Sequence, residues 1–295
     1  MTPLGERRSF LSGSNRWRSL ERSAMVPGDR VPLVSIVMPV YNGERYLPEA
    51  LDSLLSQSFT DFELIVVDDG STDRTPQILE THAKADRRIQ IQRQINQGVV
   101  RALIVGTEMA RGTYIARADA DDLSHLERLR EQVKFCEIHP DVVLLAGAFL
   151  KMYPDGNKVT VTLPTRHEQI MRAQFIINNI HHAGVMMRRA AFERAGGYSP
   201  KWRHLEDYEL WFRLGAIGHI ASLSEPLTTL RVHRESISGQ NELFQVRRGV
   251  VLRAKNILNG QYPPTYIRFL IKPLLKACTP GLVLSGYRAI LGRQR

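Results

Sequence analysis

A chain of 295 residues, 43% apolar and 24% charged, has the composition of a soluble globular protein long enough to bury a substantial core. Its two cysteines, Cys136 and Cys278, are too few and too far apart for a disulfide framework or a zinc knuckle, and a reducing cytoplasm suits them. The formal charge of +10 is mostly arginine and suits an anionic partner, while no run approaches the roughly 18 apolar residues that span a bilayer.

Residues 1–30 place Arg7, Arg8, Arg16, Arg18, Arg22 and Arg30 among Ser, Gly and Pro, and read as a basic flexible arm. Arg7-Arg8 is not an export signal, because the polar stretch Asn15 to Arg22 stands where an apolar segment is required. Order begins near Val31. The apolar run Val34 to Val40 predicts a buried strand, closed by the turn Pro39-Val40-Tyr41-Asn42-Gly43. Leu47, Leu51, Leu54 and Leu55 then mark one face of a helix. Strands are expected over Glu63 to Val67, Ile89 to Arg93 and Tyr114 to Ala118, with helices over Thr75 to Ala85 and Val99 to Ala110. This alternation argues for an α/β fold with a mostly parallel, Rossmann-like sheet, whose ligands bind at the carboxyl ends of the strands.

The second half is less regular. Leu126 to Ile138 reads as a helix, and Val142 to Leu163 as strands around Pro154-Asp155-Gly156-Asn157. A short strand over Gly184 to Met187 precedes a helix stopped by Gly196-Gly197, and Leu210, Trp211, Leu214 and Ile217 mark a buried helical face. Beyond Gln240 the pattern is of basic amphipathic helices broken by Pro263-Pro264, Pro273 and Pro280.

Chemistry gathers at the strand ends. In Arg117-Ala118-Asp119-Ala120-Asp121-Asp122, extended backbone puts Asp119 and Asp121 on one side. Two such carboxylates suit Mg²⁺ or Mn²⁺ shared with a diphosphate; an acidic turn capping the next helix is the alternative. The turn Asp68-Asp69-Gly70-Ser71-Thr72-Asp73 offers acceptors for a base or a ribose, or else a turn and helix cap. Arg231 and His233 are candidates to reach the diphosphate or the metal. His181 and His182 have no third ligand at suitable spacing and read as structural or acceptor-side residues.

Taken together these segments resemble glycosyltransferase family 2, the inverting nucleotide-sugar transferases of the GT-A fold. The matching segments are Val34 to Gly43, Asp68 to Asp73, Arg111 to Asp122, Leu205-Glu206-Asp207-Tyr208-Glu209-Leu210-Trp211, and Leu230 to His233 with Ser236-Ile237-Ser238. The resemblance implies that Pro39, Tyr41 and Asp69 hold the nucleotide base and that Asp119 lies near the ribose. It implies that Asp121 binds the metal and that Asp207 of the Glu206-Asp207 pair deprotonates the acceptor hydroxyl. An acidic first turn facing its helix dipole is the other reading of that pair. Ile104 departs from the family, which often has Asn there.

The expected organisation is a basic arm over 1–30, a GT-A catalytic domain over 31–240 and a basic amphipathic helical extension over 241–295. The expected partners are a nucleoside-diphosphate sugar, UDP-linked in first preference, and a saccharide or lipid-linked acceptor, with Mg²⁺ or Mn²⁺ as cofactor. Nucleic acid is not an expected partner. The expected setting is the cytoplasm; the extension either rests on the inner membrane surface or simply packs on the catalytic domain. A dehydrogenase is excluded because no G-x-G-x-x-G follows a strand. A sugar nucleotidyltransferase and a non-catalytic nucleotide- or glycan-binding protein stand as the rival readings.

Overall fold

The computed structural model describes residues 31–233 and 242–278. The expectations placed on the N-terminal arm, on Ser236 to Ser238 and on Pro280 lie outside the described residues. Four parallel strands form the half of the sheet that carries the site. These are β1 (Val34–Val40), β2 (Phe62–Asp68), β3 (Ile89–Arg93) and β4 (Tyr114–Arg117), joined by α1 (Leu47–Leu55), α2 (Thr75–Ala85) and α3 (Val99–Met109). Their spatial order is β3-β2-β1-β4.

Every residue of β1 and β2 is buried, as strands covered on both faces require. Ile36, Met38 and Val40 enter one core with Leu47, Leu51 and Leu54 of α1. Val37 enters the opposite core with Val100 and Leu103 of α3. The two-residue period of the strand and the amphipathic stripe of each helix therefore meet on both sides of the sheet.

Past β4 the neighbours change direction. β4 pairs antiparallel with β8 (Met186–Arg188), which pairs antiparallel with β6 (Val142–Met152). β6 runs parallel to β9 (His219–Arg231), the short β5 (Leu123–Ser124) closes onto β9, and β7 (Lys158–Val161) folds back on β6. The strand expected from Gly184 starts two residues later, because His182–Gly184 coils into a 3₁₀ turn. α4 (Arg128–Ile138), α5 (His167–Ile176), α6 (Arg189–Arg194) and α7 (Glu206–Gly215) complete this region.

After α7 and β9 come α8 (Glu242–Leu258), a 3₁₀ segment over Pro264–Leu270 and α9 (Ile271–Cys278). Pro273 does not break the last helix. It falls in the first turn, where a missing N–H costs no helical bond. Leu252, Tyr262 and Leu270 pack with Phe175, Leu205, Tyr208 and Phe212, which seats these elements on α5 and α7. Among the described residues no helix is long and apolar enough to cross a membrane.

Candidate active site

Strand order locates the crevice. From β1 the chain steps one way to β2 and β3, then returns to β4 on the other side of β1. The carboxyl ends of β1 and β4 thus flank a topological switch point, where open α/β sheets bind ligands. The β1–β4 pairing stops at Val37 and Arg117, and its last bond runs from Ala118 N to Val37 O at 3.0 Å. Pro39 sits beyond that point, so a central strand tolerates a residue without an N–H. Tyr41, 52% exposed, stands on the rim just after it.

The loops after β1 and β2 are zipped together. Asn42 N donates to Ser71 Oγ at 2.9 Å, Gly43 N to Thr75 Oγ1 at 2.8 Å, and Thr72 N back to Asn42 Oδ1 at 2.9 Å. Asp73 accepts from Glu44 N at 3.0 Å and from Thr75 N at 2.9 Å, fastening the start of α2. Much of the second acidic turn is therefore turn and cap. Asp69 is buried and accepts three bonds: from Gln94 Nε2 at 2.7 Å, Gln97 N at 2.9 Å and Gly98 N at 2.8 Å. It clasps the 94–98 loop and keeps about one lone-pair direction for a ligand N–H. Gly70 makes that clasp fit: its φ is +78°, and a Cβ there would lie 2.8 Å from Asn96 N.

Past β4, one oxygen from each of Asp119, Asp121 and Asp122 falls within 4.8 Å of the others. The three play different parts. Asp122 is buried, and its oxygens accept from Arg231 N at 3.0 Å and His181 Nε2 at 2.9 Å, pinning the loop to β9. Asp119 is paired with the Arg117 guanidinium. Asp121 accepts from His233 Nε2 at 2.8 Å, and the His233 ring packs at a tilt of 37° against Tyr46 with centroids 5.1 Å apart. Burial, then the charges of Asp119 and Asp122, lift the Asp121 carboxyl to about 6. His233 is thus brought to Asp121, and Asp119 and Asp121 keep open faces.

The second acidic pair opens α7. Asp207 Oδ2 accepts from Asn178 Nδ2 at 2.9 Å, and Oδ1 accepts from Tyr208 N at 2.6 Å in the first turn. Burial raises both carboxyls, Glu206 to about 7 with the Asp207 charge as second cause. The Arg117 guanidinium, itself buried, pulls the other way on both. Arg117 therefore pairs with Asp119 and also acts on Glu206 and Asp207. Tyr198 lies in the same field, its phenol held above the ordinary range by burial and by Asp207, Glu206 and Asp119.

Sequence reasoning passed over three residues. Arg117 carried a signal: a guanidinium at the end of the apolar run Tyr114 to Ala116 has no solvent to reach. Asn178 gave none. Arg128 is wholly buried and donates to Arg117 O at 2.7 Å and to Ser124 Oγ at 2.9 Å, holding the end of β4 in place. His181 and His182 are internal, bonded to Asp122 and Thr228 and to Tyr198 respectively.

The glycosyl transferase family 2 model matches residues 35–196. EpsE of Bacillus subtilis (strain 168), a protein named as a glycosyltransferase, is 32% identical over 87% of this chain and 93% of its own. The amylovoran biosynthesis glycosyltransferase AmsE of Erwinia amylovora is 28% identical over 70% of this chain and 79% of its own. Among solved structures, S. aureus TarS 1–349 in complex with UDP-GlcNAc superposes with a TM-score of 0.66 at 21% identity, over 82% of this chain and 72% of that one. The mannosyltransferase PcManGT of Pyrobaculum calidifontis, in complex with GDP-Man and Mn²⁺, gives 0.61 at 19% identity, over 93% and 86%. With the family model covering more than half its length, a GT-A sheet and an aspartate cluster at the switch point, the chain belongs to glycosyltransferase family 2.

Proposed function

We propose that this glycosyltransferase is an inverting, metal-dependent hexosyltransferase that uses a nucleoside-diphosphate sugar in polysaccharide assembly at the cytoplasmic face of the membrane. UDP-GlcNAc in TarS and GDP-Man with Mn²⁺ in PcManGT support the donor class, and a UDP-sugar is the first preference. AmsE, named for amylovoran biosynthesis, supports the polysaccharide setting. The catalytic unit is taken as 31–240, with the helices from 241 onward as an extension.

One observation carries the reading: a single buried guanidinium, Arg117, pairs with Asp119 of the switch-point loop and also acts electrostatically on Glu206 and Asp207, which open α7. On this reading Pro39, Tyr41 and Asp69 line the base end of the donor, and Asp119 faces the ribose. The crowded hard oxygens fit Mg²⁺ or Mn²⁺: burial and then the charges of Asp119 and Asp122 raise Asp121, and a divalent cation would relieve that repulsion. Asp121, with His233 beside it, would hold that ion, which neutralises the departing diphosphate.

Asp207 takes the proton of the acceptor hydroxyl, and the raised carboxyl suits a base working near neutral pH. Asn178 fixes one of its oxygens and the α7 backbone the other. Glu206 lies in the same field, its carboxyl raised by burial and then by the Asp207 charge. The hydroxyl then attacks the anomeric carbon opposite the leaving group, which gives inversion.

The test is a panel of nucleotide sugars scored for Mn²⁺-dependent release of nucleoside diphosphate with and without saccharide acceptors. Asp207→Asn should lower turnover by about 10²- to 10⁴-fold while keeping the donor-induced thermal shift. Unchanged turnover in that variant would remove Asp207 from the role of base.

A further inference from the structure

We infer that the 3₁₀ segment Pro264–Leu270 and α9 form a docking face for an anionic lipid bilayer, through the exposed side chains of Ile267, Ile271, Leu274 and Leu275 beside Arg268 and Lys272. The apolar side chains are 64%, 59%, 44% and 69% exposed, respectively. In α9, Ile271, Leu274 and Leu275 stand at i, i+3 and i+4, so they share one helix face. The inner side of the 3₁₀ segment is already occupied, because Leu270, with Tyr266 and Phe269, packs against the cluster of Phe175, Tyr208 and Phe212. The outward stripe is therefore surplus to the core, and a contiguous exposed apolar face of this kind marks an interaction site.

Charge selects the occupant. Residues 243–295 contain ten Lys and Arg and no Asp or Glu, so the whole formal excess of +10 lies after Glu242. Some of that charge is spent internally: Arg253 is buried and donates to Ile176 O at 3.0 Å. Arg268 and Lys272 are exposed, and Arg268 stacks over Phe269 at 4.9 Å from its ring centroid. Apolar side chains that enter the acyl boundary, flanked by cations that meet phosphate headgroups, are the pattern of an interfacial helix. A nucleic acid would meet the charge and leave the Ile and Leu side chains in water. A second copy of the chain would bring like charge against like.

The position of the face adds meaning on the glycosyltransferase reading, on which this part rests. Tyr208, next to Asp207, lies in the same buried cluster as Tyr262 and Leu270. The membrane-facing elements are thus braced against the helix that carries the acceptor-side base, and a lipid-linked saccharide is the acceptor class that such bracing serves.

The experiment uses the full chain with phosphatidylcholine vesicles, with and without phosphatidylglycerol, read by co-sedimentation. The wild type should bind the anionic vesicles, and added salt should weaken that binding. R268E/K272E should lower the vesicle affinity by about tenfold or more. I271S/L274S should lower it as well, although the cations remain. Binding by both variants equal to wild type, or no binding by wild type, would overturn the inference. So would a wild-type dimer in light scattering that I271S/L274S dissolves without any lipid dependence. The Mn²⁺ and UDP thermal shift is measured on the same samples. Its loss in the wild type would count against the glycosyltransferase site and leave the vesicle result standing.

Discussion

Asn178 Nδ2 donates to Asp207 Oδ2 at 2.9 Å, and Gln174 Nε2 donates in turn to Asn178 Oδ1 at 3.0 Å, so α5 orients a carboxylate on α7. The bond favours the ionised form of Asp207, against the burial that raises it. Asn178→Ala should therefore lower kcat/KM by about 10- to 100-fold through lost positioning. It should also move the acid limb of the pH–rate profile to higher pH. In the wild type that limb should lie above the ordinary carboxylate range, because burial raises Asp207. A merely structural role for Asn178 would lower the amount of folded enzyme and leave the limb in place.

At the aspartate cluster after β4 the fold opposes the ionisation of Asp121, its carboxyl lifted from 3.8 to about 6. A raised folded value means that the folded state holds the proton more tightly, so without divalent cation stability should decline as pH rises from about 4 to about 6. Asp121→Asn should shrink that decline, leaving the share that the raised Glu206 and Asp207 contribute, and should raise the metal-free melting temperature at pH 8. It should also abolish the stabilisation of the wild type by Mn²⁺. Calorimetry with and without Mn²⁺ at two pH values checks both signs.

Arg117 faces Asp119 and lowers the cost of ionising Glu206 and Asp207. Arg117→Met would leave a part-buried carboxylate unpaired, at a cost of about 3–5 kcal/mol in stability. It should also push the acid limb of the rate profile upward. Arg117→Lys keeps a positive charge and should restore more of the limb position than of the stability, since Lys lacks the planar fork. Urea denaturation and pH–rate profiles of the two variants separate these effects.

Glu63 lies buried in β2 and accepts from Ser35 Oγ at 2.7 Å, Gln90 Nε2 at 2.7 Å and Arg111 Nη2 at 2.7 Å. Burial raises its carboxyl, but the bonds from Ser35 and Arg111 outweigh this and hold it below the ordinary 4.5. A depressed value contributes stability above 4.5 that is lost as pH falls through the folded value. Glu63→Gln should cost about 1–3 kcal/mol at pH 7 and flatten the acid side of the stability curve. Equal acid sensitivity in wild type and variant would show that other carboxylates dominate.

Local periodicity explains why the first half was legible. Val34 to Val40 alternates between two cores and Leu47, Leu51 and Leu54 repeat at helical spacing, signals carried within about ten residues of chain. The second half hides its elements. α5 buries Ile170, Gln174 and Phe175, and a polar residue at a core position blurs the apolar stripe. β9 runs for 13 residues, but its pairing with β6 shifts between Gly147 and Phe149, near Pro226, so its alternation is broken where a reader would look for it.

The residue types at the strand ends, and hence the family and the class of reaction, were determined by the amino-acid sequence alone, because carboxylates, glycines and turn formers are chemical facts before they are spatial ones. Only the tertiary structure decided how those groups divide the work. Asp122 turned out to be a clasp and Asp121 the partner of His233, which is 112 residues away. Arg117 came to pair with Asp119 while acting on Glu206 and Asp207, and Asn178 met Asp207 across 29 residues. Hydrogen-bond reach and burial depend on which strands lie side by side, and no local pattern in a chain encodes that adjacency.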